Sequence, residues 1–330
     1  MSRPVLLFSG PWTDLPLAEL AARAADWGYK GLELACWGEH LEVQRAISET
    51  DYCAERLELL ANHDLTAPVL AAHRVGTAVC DVIDGRHQAL LPDYVWGDGK
   101  PNGVQQRAAE EMMATIRVAQ KIGASLVAGF CGSPLWSYVA GWPAPSTRQV
   151  AEAFKTLARQ WEPILDVCSE TGVRFAFEVH PGQIAFDLYS AEMMLDALGG
   201  REEFGFLLDP SHFHWQGVDP VEFITRFSDR IFHVHIKDAV MMLNGRSSIL
   251  NSYFPPGDPR RGWDNRSPGR GGIDWEGIIR ALNFVGYDGA LSVDWKDAGM
   301  QRDAGAEEAC KFVKRLDFDA AAPPDQHAFQ

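Results

Sequence analysis

Short β-prone runs alternate with amphipathic helical stretches along the whole chain, and that rhythm most constrains what the chain can fold into. Apolar runs predict strands over residues 4–8, 31–35, 65–71, 125–129, 173–178, 204–209, 231–235 and 290–294. Apolar residues at helical spacing predict helices over 17–27, 51–63, 104–122, 150–171, 191–198, 221–227, 275–285 and 306–316. Each helix ends close to a Gly, Asp or Asn, which suits a helix stop and a turn into the next strand. About eight strands joined by helices is the number that closes a parallel barrel. A doubly wound open sheet shares the alternation, but it usually carries a Gly-rich phosphate turn after its first strand. Phe8-Ser9-Gly10-Pro11-Trp12 is not such a turn. The expectation is a (β/α)8 barrel, with residues 1–330 as one domain, a length such barrels routinely use.

Charge then limits the partners. With 45 acidic against 30 basic residues the formal net charge is -15, so the chain as a whole lacks the basic footprint of a nucleic-acid binder. No apolar run approaches the roughly 20 residues needed to span a bilayer, and residues 1–20 have no basic, apolar and small-residue order of a signal peptide. Six scattered cysteines, Cys36, Cys53, Cys80, Cys131, Cys168 and Cys310, show no CxxC pairing and no disulfide-scaffold density. Reduced thiols in a cytoplasmic protein, with no membrane partner, is the expectation.

Long insertions over 74–103, 131–147 and 238–272 follow predicted strands, which in a barrel places them on the C-terminal face where active sites are built. They carry Tyr94, Trp96, Trp136, Tyr138, Trp142, Tyr253, Phe254 and Trp263. Loop anchors and a pocket wall for a ring-shaped ligand are both open readings of these aromatics.

Four predicted strand ends carry a side chain of metal-ligand type: Glu178 in Phe-Ala-Phe-Glu-Val-His, Asp209 in Phe-Leu-Leu-Asp-Pro-Ser-His, His235 in His-Val-His-Ile-Lys-Asp, and Asp294 in Leu-Ser-Val-Asp-Trp-Lys. Ionisable groups at the ends of apolar strands face a large desolvation penalty unless paired, and a shared cation removes it. Oxygen ligands with one imidazole and no thiolate suit one divalent ion, Mn(II) for preference, with Mg(II), Co(II) and Zn(II) as alternatives. His233 and His235 face one side of a strand about 6.5 Å apart. The ligand belongs nearer the C-terminal end, which selects His235 and leaves His233 beneath it.

These motifs, together with Trp27-Gly-Tyr-Lys-Gly-Leu-Glu-Leu and Gly286-Tyr-Asp-Gly-Ala-Leu-Ser-Val-Asp, resemble the xylose-isomerase-like barrels of sugar phosphate isomerases and epimerases over nearly the whole chain. The resemblance implies a metal held by Glu, Asp, His and a second Glu on successive strands, and Glu178, Asp209 and His235 match the first three. It also implies that His212, three residues after Asp209, contacts substrate. The fourth position departs from the pattern, because relatives read Glu-Trp-Glu where this chain has Asp294-Trp295-Lys296. The abasic-DNA endonucleases on a related barrel need a zinc cluster with further His ligands, which this chain lacks, and its acidity argues against them too.

His180, two residues beyond Glu178 on the same face, is the expected base, and Lys237 is expected to stabilise an enolate oxygen or carry a proton. Glu33, His73 and Arg270 are expected to contact substrate. A metal that chelates a carbonyl and its neighbouring hydroxyl beside such a base is suited to removing the proton between them. A sugar isomerase or epimerase is the first expectation. A lyase that eliminates the aglycone of a 3-oxo-glycoside, resembling the larger subunit of C-glycoside deglycosidases, is the alternative, and a non-catalytic sugar-binding module is a third class. The implied partners are a sugar or glycoside, copies of the chain in a homo-oligomer and, on the lyase reading, a small β-rich subunit.

Overall fold

The computed structural model describes residues 3–250 and 253–319. Eight parallel strands close a barrel: Val5–Phe8 (β1), Gly31–Ala35 (β2), Thr66–Ala71 (β3), Leu126–Gly129 (β4), Arg174–Glu178 (β5), Phe204–Leu208 (β6), Ile231–Ile236 (β7) and, after a hairpin of Asp238–Met241 (β8) with Trp263–Arg266 (β9), Leu291–Val293 (β10). The order around the barrel is β1-β10-β7-β6-β5-β4-β3-β2, so each strand lies beside its neighbour in the barrel series and the sheet has no free edge.

The two-residue period of a strand sorts side chains between two cores. Phe175, Phe177, Phe204 and Phe206 point outward and pack under helices, with Trp161 on Phe175 and Phe223 and Phe227 on Phe206. Leu6, Val69, Leu126, Ala128, Ala176 and Leu207 fill the barrel interior. The same inward rows continue toward the C-terminal mouth as Glu33, Glu178, Asp209, His233, His235, Lys237 and Asp294, all buried. A chain that places charge there must pair it within the barrel.

The helices start and stop where the local chemistry directs. Ser146 and Asp187 form capping boxes at the starts of Thr147–Thr171 and Leu188–Ala197. Gly172 ends the first of these at φ 70°, a conformation costly for a residue with a Cβ, and the chain turns into β5. Between strands and main helices the loops hold short helices at Val43–Ser48, His73–Thr77, Asp93–Trp96 and Pro210–His214. Among the described residues no helix is long and apolar enough to cross a membrane. All six cysteines are free and buried.

Candidate active site

The site grows from the inward rows of β5, β6, β7 and β10. Glu178 closes β5. Asp209 follows β6 and caps Pro210–His214, its Oδ1 accepting from the Ser211 amide (2.9 Å) and hydroxyl (2.6 Å), which leaves Oδ2 for the site. His235 sits on β7. Ligand atoms from Glu178, Asp209 and His235 all lie within 4.8 Å of one another.

Glu33 fixes the imidazole of that trio. Its carboxylate accepts from His233 Nε2 at 2.9 Å and from His235 Nε2 at 3.0 Å. Burial would raise the Glu33 carboxyl, but the two imidazoles overcome it and hold it well below the usual carboxylate range. With Nε2 committed to Glu33, His235 Nδ1 is buried without a partner. Asp294 Oδ1 is also buried without a partner. An unpaired nitrogen and an unpaired carboxylate oxygen beside two further carboxylates fit a bound divalent cation, and the oxygen-and-imidazole donor set suits it. A carboxylate behind a metal-binding histidine is also the usual way such a ring is oriented.

Asp294 stands apart from the trio. Its Oδ2 pairs with Lys237 Nζ at 3.0 Å and with Lys296 Nζ at 3.1 Å. Lys237 is buried and also donates to Asp209 Oδ2 (3.0 Å) and His212 Nε2 (2.9 Å). Burial opposes the Lys237 charge, yet Asp209 and Asp294 raise it, so it remains an ammonium. It is therefore placed as a positive charge among these carboxylates.

His180 has the opposite character. Burial pushes its imidazole well below the ordinary value, and the nearby His212 adds to that. Its Nδ1 contacts the Pro181 carbonyl, which can only accept, so Nδ1 carries the proton and Nε2 keeps the lone pair. The rings of His180 and His212 lie 3.9 Å apart. His73 Nε2 lies 3.0 Å from Glu178 Oε2, and His212 Nε2 lies 3.3 Å from Glu178 Oε1.

These groups floor a cavity of about 320 Å³ lined by Phe8, Gly10, Pro11, Trp37, His73, Arg74, Phe130, Glu178, His180, Lys237, Asp294 and Lys296. Its aromatic walls are Phe8, Trp37 and Phe130, from β1 and the ends of β2 and β4. None of the aromatics expected from the three insertions lines it, and Trp142 and Tyr253 are fully exposed. These walls come from strand ends rather than from the long insertions, and the inward-facing Phe8 and Phe130 were the available sequence signal.

The structure thus brings together Glu178, Asp209, His235, Asp294, His180, Lys237, His212, His73 and Glu33. Two expected positions move. Glu33 lies beneath the mouth, fully buried against His233 and His235, and not on a substrate wall. Arg270 is not brought to the site: it is exposed and forms a two-point pair with Glu308 at 2.6 and 2.9 Å. The glycine-rich turn around it wraps Asp238 instead, whose carboxylate accepts from the Gly269 amide at 2.9 Å and the Trp275 indole at 3.0 Å.

The sequence matches the xylose isomerase-like TIM barrel family over residues 21–316. The chain belongs to that family. Over 160 residues it is 27% identical to an inosose dehydratase of Geobacillus kaustophilus, a match covering 42% of this chain and 48% of that protein. The chain spans about half the length of the curated relatives it matches. In three dimensions it resembles 3-keto-D-glucoside 4-epimerase, YcjR, of E. coli, with a TM-score of 0.69 and 13% identity over 95% of this chain and 99% of that one. It likewise resembles the IolI protein crystallised with a zinc atom, with a TM-score of 0.63 and 16% identity over 95% of this chain and 96% of that one. Isomerases, epimerases and dehydratases of sugars and related rings are thus what this barrel is similar to.

Proposed function

We propose that this chain is a divalent-metal-dependent enzyme that removes a proton from the carbon beside a carbonyl in a sugar or sugar-derived ring, in the manner of sugar isomerases and epimerases. One observation carries the reading: a neutral imidazole, His180, with Nε2 free, stands at the cavity beside the convergent Glu178, Asp209 and His235. Glu178, Asp209 and His235 would hold the ion, with Asp294 as a further candidate donor, and the bound ion would supply Lewis-acid polarisation of the substrate carbonyl. The zinc atom of the IolI neighbour supports a divalent ion here.

The chain's own groups supply the rest. His180 Nε2 accepts the proton. Lys237, held as a cation by Asp209 and Asp294, offsets the negative charge that develops on oxygen. Phe8, Trp37 and Phe130 give the cavity apolar faces against which the C–H side of a ring can lie. Isomerisation then needs the proton returned to the neighbouring carbon, and epimerisation to the opposite face of the same carbon; His73 and Lys296 are further groups on the cavity wall.

A second reading is elimination, either of water or of the aglycone of a 3-oxo-glycoside. The lysine pairing of Asp294 favours it, because the β10 carboxylate is engaged by two ammonium groups and His180 alone suffices as base. The test is to incubate metal-loaded protein with ketohexoses, 3-keto-glucosides and inososes and follow the products by mass and NMR. Interconversion without loss of a group supports the isomerase–epimerase reading. Loss of water or aglycone supports elimination. No metal-dependent change in any of the three contradicts both.

A further inference from the structure

Arg74 follows His73 at the end of β3 and lines the same cavity as Glu178, His180 and Asp294. The two lysines there are matched, Lys237 by Asp209 and Asp294 and Lys296 by Asp294. Arg74 differs. Among the described residues its guanidinium has no carboxylate and no hydrogen-bond acceptor, and its one contact of note is the Trp37 ring, 4.9 Å away. It is partly buried, burial pushes its charge down, and no neighbouring charge offsets that. In a chain with 45 acidic and 30 basic side chains, most surface arginines find a carboxylate, as Arg45, Arg260, Arg270, Arg280 and Arg302 do. A partly buried guanidinium with no protein acceptor, opening into a cavity, keeps its donors available for an anionic ligand.

Its setting suits one kind of ligand. A guanidinium held over an indole by cation–π attraction keeps N–H donors free, and its fork matches the two oxygens of a carboxylate or phosphate. A cavity of about 320 Å³ is at the small end of ligand pockets and has room for one ring with a short substituent. The other cation reaching solvent from the wall, Lys296, is half-exposed, so the mouth presents positive charge on a strongly acidic chain.

We propose that Arg74 binds an oxyanion carried by the substrate, so that the natural substrate is an acidic ring, a sugar or cyclitol bearing a carboxylate or a phosphate. The proposal rests on the proton-abstraction reading only in taking the cavity as the substrate site, and its test is one of binding, so that it stands or falls separately from turnover. Metal-loaded, full-length protein is titrated calorimetrically with matched pairs: glucose against glucuronate and against glucose 6-phosphate, and myo-inositol against quinate. The wild type binds an anionic member at least about tenfold more tightly than its neutral counterpart, and the preference shrinks as salt is raised. Preference for glucuronate and quinate assigns a carboxylate, and preference for glucose 6-phosphate alone assigns a phosphate. Arg74→Met abolishes the preference while leaving the weak binding of the neutral member unchanged, and Arg74→Lys restores part of it. Equal affinity for charged and neutral members, or no binding of either, overturns the proposal. So does an Arg74→Met variant, folded by its melting transition, that keeps the preference or loses both members alike.

Discussion

At the residue scale the site is a set of paired desolvation problems. Glu33 has no route to solvent, and its two histidines remove the cost of burying it while turning His235 Nδ1 toward the carboxylates. Replacing Glu33 by Gln keeps the shape but weakens the acceptor, so metal affinity should fall by about 10–100-fold in a competitive chelator titration. An unchanged affinity would mean that His235 does not depend on Glu33. His180 should behave differently. His180→Asn should lower turnover by about 10²–10⁴-fold, the usual worth of a positioned base, while metal affinity stays within error of wild type. A parallel loss of metal would make His180 a ligand instead.

At the element scale, the turn after β9 shows how a motif can point away from its apparent role. Gly271 packs so tightly on Asp238 that an added Cβ would lie 2.1 Å from Oδ1. Gly271→Ala should therefore cost about 1–3 kcal/mol, read as a lowered urea midpoint, because backbone and carboxylate must both move. This is also where sequence reasoning reached its limit. Barrel strands announce themselves as apolar runs between turns, and β1 through β7 and β10 fall within a residue or so of where the pattern puts them. The short helix His73–Thr77 and the β8–β9 hairpin were not legible, because their residues are held by contacts distant in sequence. Gly76, for example, packs against the Phe130 carbonyl, and β8 pairs with β9 across more than twenty residues. Strand ends pointed to Glu178, Asp209, His235 and Asp294 together, and the family resemblance set the first three apart. The role of Glu33 needed the barrel, although its place in mid-strand with an inward period already denied it a position at the mouth. Arg74 carried no motif at all, and only the absence of a partner makes it stand out.

At the scale of the whole molecule, eight strands of a closed sheet bring groups from residue 8 to residue 296 to one cavity. Three buried carboxylates at and beneath its floor, Glu178, Asp209 and Asp294, face Lys237, Lys296 and the imidazoles. A divalent ion bound there should stabilise the entire barrel, by about 2.7 kcal/mol at a hundredfold excess over its Kd. The melting temperature should rise with Mn(II), Co(II) or Zn(II) and fall again with chelator, and the Asp209→Ala variant should show no such response. Proton abstraction at that floor is the central step, and one measurement addresses it directly. A ring ketone accepted by the metal-loaded protein is held in deuterated water, and the hydrogen beside its carbonyl is followed by NMR. The structure predicts deuterium uptake at that carbon that requires metal and is lost in His180→Asn. Product formation with that hydrogen fully retained, or uptake indifferent to metal and to His180, would contradict it.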